Sequence, residues 1–233
     1  MSDRDYLHTI HRFWAGRDMP DEYTIFGQMW QEMNPEWQVI DWDMGCIADF
    51  PELLPVFQSL KDRDAGRNGI EYYVQLADVL GYALVERWGG VYVNCDMQPI
   101  RPFPDMPQKA WASYENTSDW SIVNSAIGAP EPHNPFWTQL LKELPERYFA
   151  NPTDEMVKTT GPSLLTDQAR KNPDQIHVYP VEAFNPVHWR DVDLGGDASM
   201  YVEEANFHSG TIAVHHWGHK KDGRTNFVET GTQ

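Results

Sequence analysis

Residues 70–96 constrain the fold of this chain more than any other stretch of its sequence. Apolar side chains recur at helical spacing through IEYYVQLADVLGYALVERW, at positions 70, 73, 74, 77, 80, 84 and 88. Gly89 and Gly90 end the predicted helix, because glycine accepts the left-handed backbone that often closes a helix. Residues 91–93 follow directly as a short apolar strand. A helix that leads straight into a buried strand is typical of α/β proteins.

Helix and strand patterns alternate along much of the rest of the chain. Strands are predicted in LHTIHRFWAG, in EWQVIDW and near residues 110–114, 121–128, 176–179 and 211–216. Helices are predicted in PDEYTIFGQMWQEMN, in FPELLPVFQSLKD with an interruption at Pro55, in NPFWTQLLKELPERYF and in GPSLLTDQARKN. We expect an α/β fold with a mostly parallel sheet flanked by helices, and an irregular C-terminal part from residue 150 onward. No linker divides the chain, so we expect one domain over residues 1–233.

The composition excludes several classes of protein. Hydrophobic residues make up 41% of the chain and charged residues 23%, as in folded globular proteins. A formal net charge of −17 repels phosphate backbones, so we expect no nucleic-acid partner. No apolar run approaches membrane-spanning length, and the amino terminus has no apolar signal core. The two cysteines, Cys46 and Cys95, suggest no disulfide framework. Together these features predict a cytoplasmic protein without a membrane span.

The predicted strand at residues 91–93 runs into Asn94, Cys95 and Asp96. Side chains alternate along a strand, so Asn94 and Asp96 face one side and Cys95 the other. Ligands of open α/β sheets bind beyond the carboxyl ends of the strands, and an amide with a carboxylate suits Mg²⁺, Mn²⁺ or sugar hydroxyls. The residues alone also fit an Asx turn at the end of a strand.

The segment ADVLGYALVERWGGVYVNCD resembles the signature of the DXD-motif glycosyltransferases, the family 32-like and toxin glucosyltransferase-like group. The matching positions are Ala77, Asp78, Tyr82, Leu84, Gly89, Gly90, Tyr92 and Asp96. Weaker matches follow in the family's order: TIHRFWAG before this segment, and VNSAIGAPEPHNPF, TTGPSLLT, VYPVEAFNPVHW and AVHHWGHKK after it.

The resemblance implies a GT-A fold and retaining transfer of a hexose from a nucleotide sugar to an unknown acceptor. The implied donor is a UDP-sugar such as UDP-glucose, and the implied cofactor is Mn²⁺ or Mg²⁺. The implied metal ligands are Asp96 and His215, although His216 and His219 also remain candidates. The residues implied in donor binding are Trp14, Asp78, Asn94, Asp96, Asn124 and Lys220.

Several of these residues have a structural alternative. Trp14 is expected to stack on the uracil base, but it also suits a core position after a strand. Asp78 flanks the apolar stripe of its helix, where polar residues are usually solvated. For Asn124 and for the turn at Thr160, structural and functional roles are equally compatible with the sequence. Lys220, or Lys221 beside it, is expected to reach the diphosphate as a point charge, whereas lysine pairs are usually just solvated.

Four positions depart from the family pattern. Asn94 replaces the first acid of the DXD motif, Gly81 replaces an arginine, and Lys220 and Lys221 replace a closing Ser-Trp. An amide still hydrogen-bonds hydroxyls, so Asn94 is expected to contact the donor and leave Asp96 as the main carboxylate ligand. These changes keep two alternatives open: a sugar-nucleotide-binding protein without transfer, and a weak nucleotide-sugar hydrolase.

Overall fold

The computed structural model describes residues 8–16, 18–64, 69–116, 118, 120–150, 156–189 and 209–218. The strands and helices in this part, in chain order, are β1 (Thr9–Phe13), α1 (Asp21–Met33), β2 (Gln38–Trp42), α2 (Leu54–Asp64), α3 (Ile70–Trp88), β3 (Gly90–Val93), β4 (Met97–Pro99), β5 (Ala110–Tyr114), β6 (Ile122–Ala129), α4 (Pro135–Ala150), α5 (Met156–Thr159), α6 (Pro162–Lys171), β7 (Ile176–Tyr179), α7 (Val181–Phe184) and β8 (Ala213–His215). Short 3₁₀ turns at Met44–Asp49, Pro51–Leu53 and Pro173–Gln175 connect some of them.

Six of these strands form one mixed sheet in the order β2-β1-β3-β6-β5-β7. Strand β1 pairs in parallel with both β2 and β3, and β5 pairs in parallel with β7. Strand β6 is antiparallel to both of its neighbours, β3 and β5. The predicted α/β architecture with a mostly parallel sheet is confirmed, with β6 as the reversed strand.

Helices cover both faces of the sheet, as alternation along β3 shows. Tyr92 points into the core that α2, α3, α4 and α6 share with the sheet. Val91 and Val93 point to the opposite core, where Trp30 of α1 and Phe184 of α7 are buried. Because both faces of β3 are covered, its side chains are apolar on each side, as expected for a strand inside an α/β protein.

Helix α3 ends where its sequence predicts. The N–H of Gly89 donates to the carbonyl of Val85 at 3.0 Å, and Gly89 and Gly90 have φ angles of 72° and 76°. These positive φ angles require residues without a β-carbon. The chain therefore reverses direction within two residues and continues as β3, an inner strand of the sheet.

The two ends of α3 have different surroundings, which the predicted apolar stripe did not anticipate. From Val79 to Val85 the helix is buried on all sides, so Tyr82 lies in the core rather than on a polar face. Tyr73, Val74 and Ala77 of the predicted stripe instead line a cleft, together with Asp78. The N-terminal half of α3 therefore forms a wall of a binding cleft.

A short antiparallel ribbon lies beside the main sheet. It pairs β4 with β8, which places Met97 opposite His215. The sequence predicted β8 as a longer strand over 211–216 and gave no signal for β4. This pairing joins the end of the described chain to the segment that follows β3.

Two further predictions on local structure need correction. Pro55 lies in the first turn of α2, where its missing N–H costs nothing, so it does not interrupt that helix. Between residues 156 and 184 the chain contains the predicted α6 and β7 and also the short helices α5 and α7, so this part is more regular than predicted. Among the described helices, none combines the length and apolar character needed to cross a bilayer.

Candidate active site

A cleft of ≈630 Å³ opens where β1 and β3 end. The carboxyl ends of these parallel strands share one edge of the sheet, which is the usual place for ligands in α/β proteins. The predicted site residues that the structure describes all line this cleft: Trp14, Asp78, Asn94, Asp96, Asn124 and His215. Lys220, Lys221 and His219 lie outside the described residues.

Asn94 and Asp96 reach the cleft from the turn between β3 and β4. The N–H of Asn94 donates to the carbonyl of Ser125 on β6 at 2.8 Å, which fixes the start of the turn. Cys95, between them, points inward, and its thiol donates to the carbonyl of Phe13 at 3.3 Å. Burial raises the pKa of this thiol to about 12, so Cys95 stays protonated and acts as a packing residue.

Asp96 meets His215 across the β4–β8 ribbon. Nε2 of His215 lies 3.3 Å from Oδ1 of Asp96. The imidazole is almost completely buried, and neither of its ring nitrogens makes a hydrogen bond within the described part of the chain. Its ring packs on Trp217 with the ring centroids 3.9 Å apart. A buried polar ring without hydrogen bonds is costly, so this arrangement points to a ligand that His215 binds.

His216 has a different environment from His215. Its Nε2 lies 2.8 Å from Oε1 of Gln98, and its Nδ1 lies 3.6 Å from Oε1 of Glu22. Its backbone N–H donates to the carbonyl of Asp96 at 3.0 Å. These contacts give His216 a structural role in the β4–β8 ribbon. Of the two neighbouring histidines, His215 lines the cleft.

The residues after β8 hold the second carboxylate oxygen of Asp96. The N–H of Gly218 donates to Oδ2 of Asp96 at 2.7 Å. Trp217, the residue before Gly218, has a φ angle of 54°, which is strained for a residue with a side chain. A β-carbon on Gly218 would collide with the hydroxyl of Tyr23, so only glycine fits here without a shift. Oδ2 of Asp96 is thus fixed by the backbone, and Oδ1 faces His215.

Asp78 belongs to a hydrogen-bonded group that connects three elements. Its Oδ1 accepts from Nδ2 of Asn124 on β6 at 2.8 Å, and its Oδ2 accepts from the hydroxyl of Thr160 at 2.9 Å. Burial raises the pKa of Asp78 to about 7, although both hydrogen bonds oppose the increase. The solvated position that the helix pattern suggested for Asp78 is wrong, because the carboxyl lies inside the wall of the cleft.

Trp14 follows the end of β1 and is partly buried. Its backbone N–H donates to the carbonyl of Trp42 at 3.0 Å, and its ring packs edge to face on Tyr23, with centroids 5.6 Å apart. The ring also lines the cleft. A flat ring held from one side at the edge of a cleft is suited to stacking on an aromatic ligand.

Two family models match this chain. One, described as the glycosyltransferase sugar-binding region containing DXD motif, matches residues 20–117. The other, described as the alpha 1,4-glycosyltransferase conserved region, matches residues 129–232. The range matched by the first model contains α3 and the Asn94–Asp96 turn, and the range matched by the second contains Thr160 and His215. The two parts of the chain are thus similar to two glycosyltransferase families, and the part with α3 and the Asn94–Asp96 turn is similar to the DXD-motif family.

Curated relatives of this chain include two yeast proteins. Inositol phosphoceramide mannosyltransferase 3 of Schizosaccharomyces pombe is 24% identical over 224 residues, which cover 89% of this chain and 59% of the relative. Mannosyl phosphorylinositol ceramide synthase SUR1 of Saccharomyces cerevisiae is 25% identical over 170 residues, which cover 67% of this chain and 40% of the relative. The chain thus spans 59% or less of the length of these two relatives.

Solved structures of toxin glycosyltransferases share the fold. The PaToxG glycosyltransferase superposes with a TM-score of 0.55 at 17% identity, over 71% of this chain and 70% of that chain. The UDP-bound glycosyltransferase domain of the YGT toxin gives a TM-score of 0.51 at 9% identity, over 74% and 79% of the two chains. The predicted GT-A fold is therefore confirmed.

The structure explains one departure from the family signature. At position 81, where the pattern has an arginine, a β-carbon would lie 2.9 Å from the ring of Tyr92. Gly81 therefore lets α3 approach β3 closely, and the Tyr92 ring fills the space beside it. An arginine at this position is incompatible with the present packing of Tyr92.

A divalent cation fits the pair formed by Asp96 and His215. A carboxylate oxygen and a buried imidazole nitrogen, 3.3 Å apart at the cleft, are ligands that Mn²⁺ accepts. Within the described residues, no cluster of three or more His, Cys, Asp or Glu side chains is placed to hold a metal. A cation bound here would therefore complete its coordination with donor oxygens and water.

Sequence reasoning missed several residues that shape the site. Tyr23 and Gly218 position the backbone around Asp96, and His188 and Trp189 also line the cleft. Thr160 was recognised only as part of a turn, although its hydroxyl holds Asp78. Gly218, which follows His-His-Trp in the sequence, is a signal for close packing. The residue that requires a glycine there is Tyr23, which lies far away in the sequence.

Proposed function

We propose that this chain transfers a hexose from a nucleoside-diphosphate sugar to an acceptor hydroxyl, with retention at the anomeric carbon and with a divalent cation, Mn²⁺ or Mg²⁺, held by Asp96 and His215. The observation that carries this proposal is the His215 ring, which is buried beside Asp96 without a hydrogen bond in the described part of the chain. The matches to two glycosyltransferase family models favour a nucleotide-sugar donor as the ligand of this cleft.

The acidic character of the chain favours a bound cation for such a donor. The net charge of −17 disfavours a diphosphate in the cleft, where Asp96 adds negative charge and Arg170 is the arginine among the described lining residues. When bound, the cation supplies electrostatic stabilisation to the departing diphosphate. Gly218 keeps Oδ2 of Asp96 occupied, so Oδ1 is the oxygen that faces the ligand side.

The remaining residues of the cleft suit the other parts of a donor. Trp14 offers a ring on which the nucleobase stacks, an interaction worth about 1–3 kcal/mol in other proteins. Asn94 offers an amide that both donates to and accepts from hydroxyl groups. Asn124 and Thr160 hold the carboxyl of Asp78 at the wall, where its remaining lone pairs accept from sugar hydroxyls. These contacts orient the sugar while the acceptor approaches.

Two lines of evidence narrow the choice of donor sugar. The resemblance to toxin glucosyltransferases favours UDP-glucose, and the names of the yeast relatives specify mannose and inositol phosphoceramide. Both lines agree on a hexose. We therefore propose hexose transfer in general and name UDP-glucose and GDP-mannose as the donors to compare first.

The first prediction tests the cation and the donor together. Asp96→Asn should abolish the Mn²⁺- or Mg²⁺-dependent rise in melting temperature caused by UDP-glucose or GDP-mannose, because the amide loses the charge that holds the cation. Asp174→Asn is the matched control, since it removes the same charge from an exposed position outside the cleft. Cation-dependent donor binding by a folded Asp96→Asn protein, equal to that of the control, would rule the site out.

A second candidate function is nucleotide-sugar binding without transfer. Gly81 favours it, because the Tyr92 ring leaves no room for the side chain that the family pattern has there. The two candidates, and donor hydrolysis by water, all include cation-dependent donor binding. Transfer to an added acceptor separates them: a protein that binds donor but never moves the hexose is a binding protein, and one that releases free hexose alone is a hydrolase.

A further inference from the structure

Trp120 is a large apolar side chain in an unusual position. Its side chain is 56% exposed, and its φ angle of 56° lies in the left-handed region, which is costly for a residue with a β-carbon. Tyr114 supports the ring edge to face, with centroids 5.2 Å apart. Strained residues persist where surrounding contacts fix them, and they concentrate at ligand sites. An exposed ring on a strained backbone therefore marks this loop as a candidate ligand site.

The position of Trp120 connects it to the cleft. It lies in the loop between β5 and β6, which a hydrogen bond from the N–H of Glu115 to the carbonyl of Ser121 closes at 2.8 Å. Asn116 accepts from both the N–H and the hydroxyl of Ser118 at 2.9 Å. Glu115, Asn116, Ser118 and Ser121 all line the cleft. Trp120 therefore stands directly before a cleft-lining residue, on a loop with several groups that bind hydroxyls.

The β5–β6 loop lies a short way along the chain from Asn124, one of the residues proposed to contact the donor. Asn124 lies four residues after Trp120, and an extended chain rises about 3.3 Å per residue, so the two α-carbons are at most ~13 Å apart. The loop is therefore close enough to the donor contacts for a ring that binds there to lie next to the donor sugar. Carboxylate, amide and hydroxyl groups on the loop suit a neutral ligand rich in hydroxyl groups.

We propose that Trp120 and the cleft-facing polar groups of the β5–β6 loop form the acceptor subsite, and that the acceptor presents a polyhydroxylated ring, a sugar or a cyclitol. The apolar face of such a ring packs on the indole, and its hydroxyls reach Glu115, Asn116 and Ser118. This inference rests on the proposed transfer function. The ring is either a free sugar or cyclitol, or the headgroup of a lipid, and the two sources share this chemistry.

Kinetics test the subsite with a closely matched control. Phe149 is 49% exposed and packs edge to face on Tyr148 with centroids 5.2 Å apart, but it lies on α4 outside the cleft. Trp120→Ala should raise the KM for the acceptor about tenfold or more, while donor affinity and donor hydrolysis stay unchanged. Trp120→Phe should recover part of the loss, and Phe149→Ala should change nothing. An unchanged acceptor KM in Trp120→Ala, or an equal loss in Phe149→Ala, would overturn the subsite.

A binding measurement keeps the inference testable even if the wild-type protein transfers nothing. The protein is labelled with 5-fluorotryptophan, and the ¹⁹F resonance that disappears in Trp120→Phe is followed in the presence of Mg²⁺ and UDP. The probes are methyl α-mannoside, myo-inositol and vesicles with or without phosphatidylinositol. A shift with either free ring, or only with phosphatidylinositol vesicles, supports the subsite and identifies the source. No shift with any probe, or a shift with plain phosphatidylcholine vesicles, contradicts it. If UDP does not bind with Mg²⁺, the measurement is repeated with GDP, and failure of both nucleotides to bind would count against the proposed function alone.

Discussion

Asn94 and Asp96 come from one turn but meet different surroundings. Oδ2 of Asp96 accepts from the Gly218 backbone and Oδ1 faces His215, so this carboxylate is already oriented as a ligand. The side-chain amide of Asn94 lines the cleft and makes no hydrogen bond to the described residues around it. At the scale of single residues, this difference supports a cation-binding role for Asp96 and a hydroxyl-binding role for Asn94.

The second prediction separates these two roles. Asn94→Asp restores the acid of the family motif, and we expect cation-dependent UDP affinity to stay within a few-fold of the parent, because residue 94 lies outside the cation's ligands. The change should act on turnover or sugar preference, since a carboxylate accepts hydrogen bonds but does not donate them. Calorimetric titration of Mn²⁺ and UDP into both proteins measures this. A gain in cation affinity of about tenfold, ~1.4 kcal/mol, would place residue 94 among the ligands.

At the scale of elements, the site depends on contacts between segments far apart in the chain. Helix α3 and strand β3 carry Asp78, Asn94 and Asp96, whereas β8 carries His215. The β4–β8 ribbon brings them together, because its register sets Met97 opposite His215. The turn after β8 is as important as the strand, since it supplies the Gly218 N–H to Asp96.

The third prediction concerns this turn. In Gly218→Ala, the new methyl group collides with the Tyr23 hydroxyl and lies 3.3 Å from Oδ2 of Asp96. The turn must shift, the hydrogen bond to Asp96 weakens, and we expect cation-dependent donor affinity to fall about tenfold, ~1.4 kcal/mol. Donor binding measured by calorimetry checks the change, and circular dichroism checks that the fold is retained.

A double variant shows whether the collision is the cause. Tyr23→Phe removes the hydroxyl that the alanine methyl would meet, so Gly218→Ala should cost less in the Tyr23→Phe background than in the parent protein. This comparison is a double-mutant cycle and isolates the interaction between the two positions. Equal losses in both backgrounds would mean that Gly218 is needed for another reason.

At the scale of the whole molecule, two buried titratable groups make stability depend on pH in opposite directions. His11 is completely buried, and its Nδ1 accepts from the indole of Trp42 at 3.1 Å, so its Nε2–H donates to the carbonyl of Gly89 at 3.1 Å. Burial lowers the pKa of His11 to about 4. Stability from His11 is therefore lost as the pH falls from about 6.5 to about 4.

Asp78 acts in the opposite sense, and this gives the fourth prediction. Its pKa is raised to about 7, so the folded chain keeps a proton that the unfolded chain loses near pH 4, and stability falls as the pH rises between these values. Asp78→Asn keeps the shape of the side chain, its oxygen accepts from Asn124, and the Thr160 hydroxyl can turn to accept from the new amide, while the titrating carboxyl is removed. The free energy of unfolding should then rise more steeply with pH between about 4 and 7, by at most ~1.4 kcal/mol per pH unit for one proton.

Urea unfolding at a series of pH values measures that slope. Asp174→Asn serves as the control, because it removes a carboxyl that is exposed on the surface. The slope of the control should match that of the parent protein. If Asp78→Asn also gives the parent slope, then Asp78 titrates in the folded chain as it does in the unfolded chain.

Local patterns in the sequence were enough for much of the fold and for part of the site. The length and end of α3, the strand after it and the opposite directions of Asn94 and Cys95 all follow from periodicity, glycine and alternation over a few residues. The ordered matches to the family signature pointed to the remaining cleft residues and to the GT-A fold. The predictions for α3, β3 and the Asn94–Cys95 pair succeed because each depends on interactions between neighbours in the chain, whereas the fold family and the remaining cleft residues came from the resemblance.

What only the tertiary structure decided is how distant segments meet. It selected His215 over its neighbour His216 for the cleft, buried Asp78 among Asn124 and Thr160, and placed the Tyr92 ring against Gly81. Each of these outcomes depends on the register of strands or on the approach of a helix to the sheet. Such contacts are settled by packing across the whole core, where a shift of one residue turns a side chain to the other face, and no local pattern specifies it.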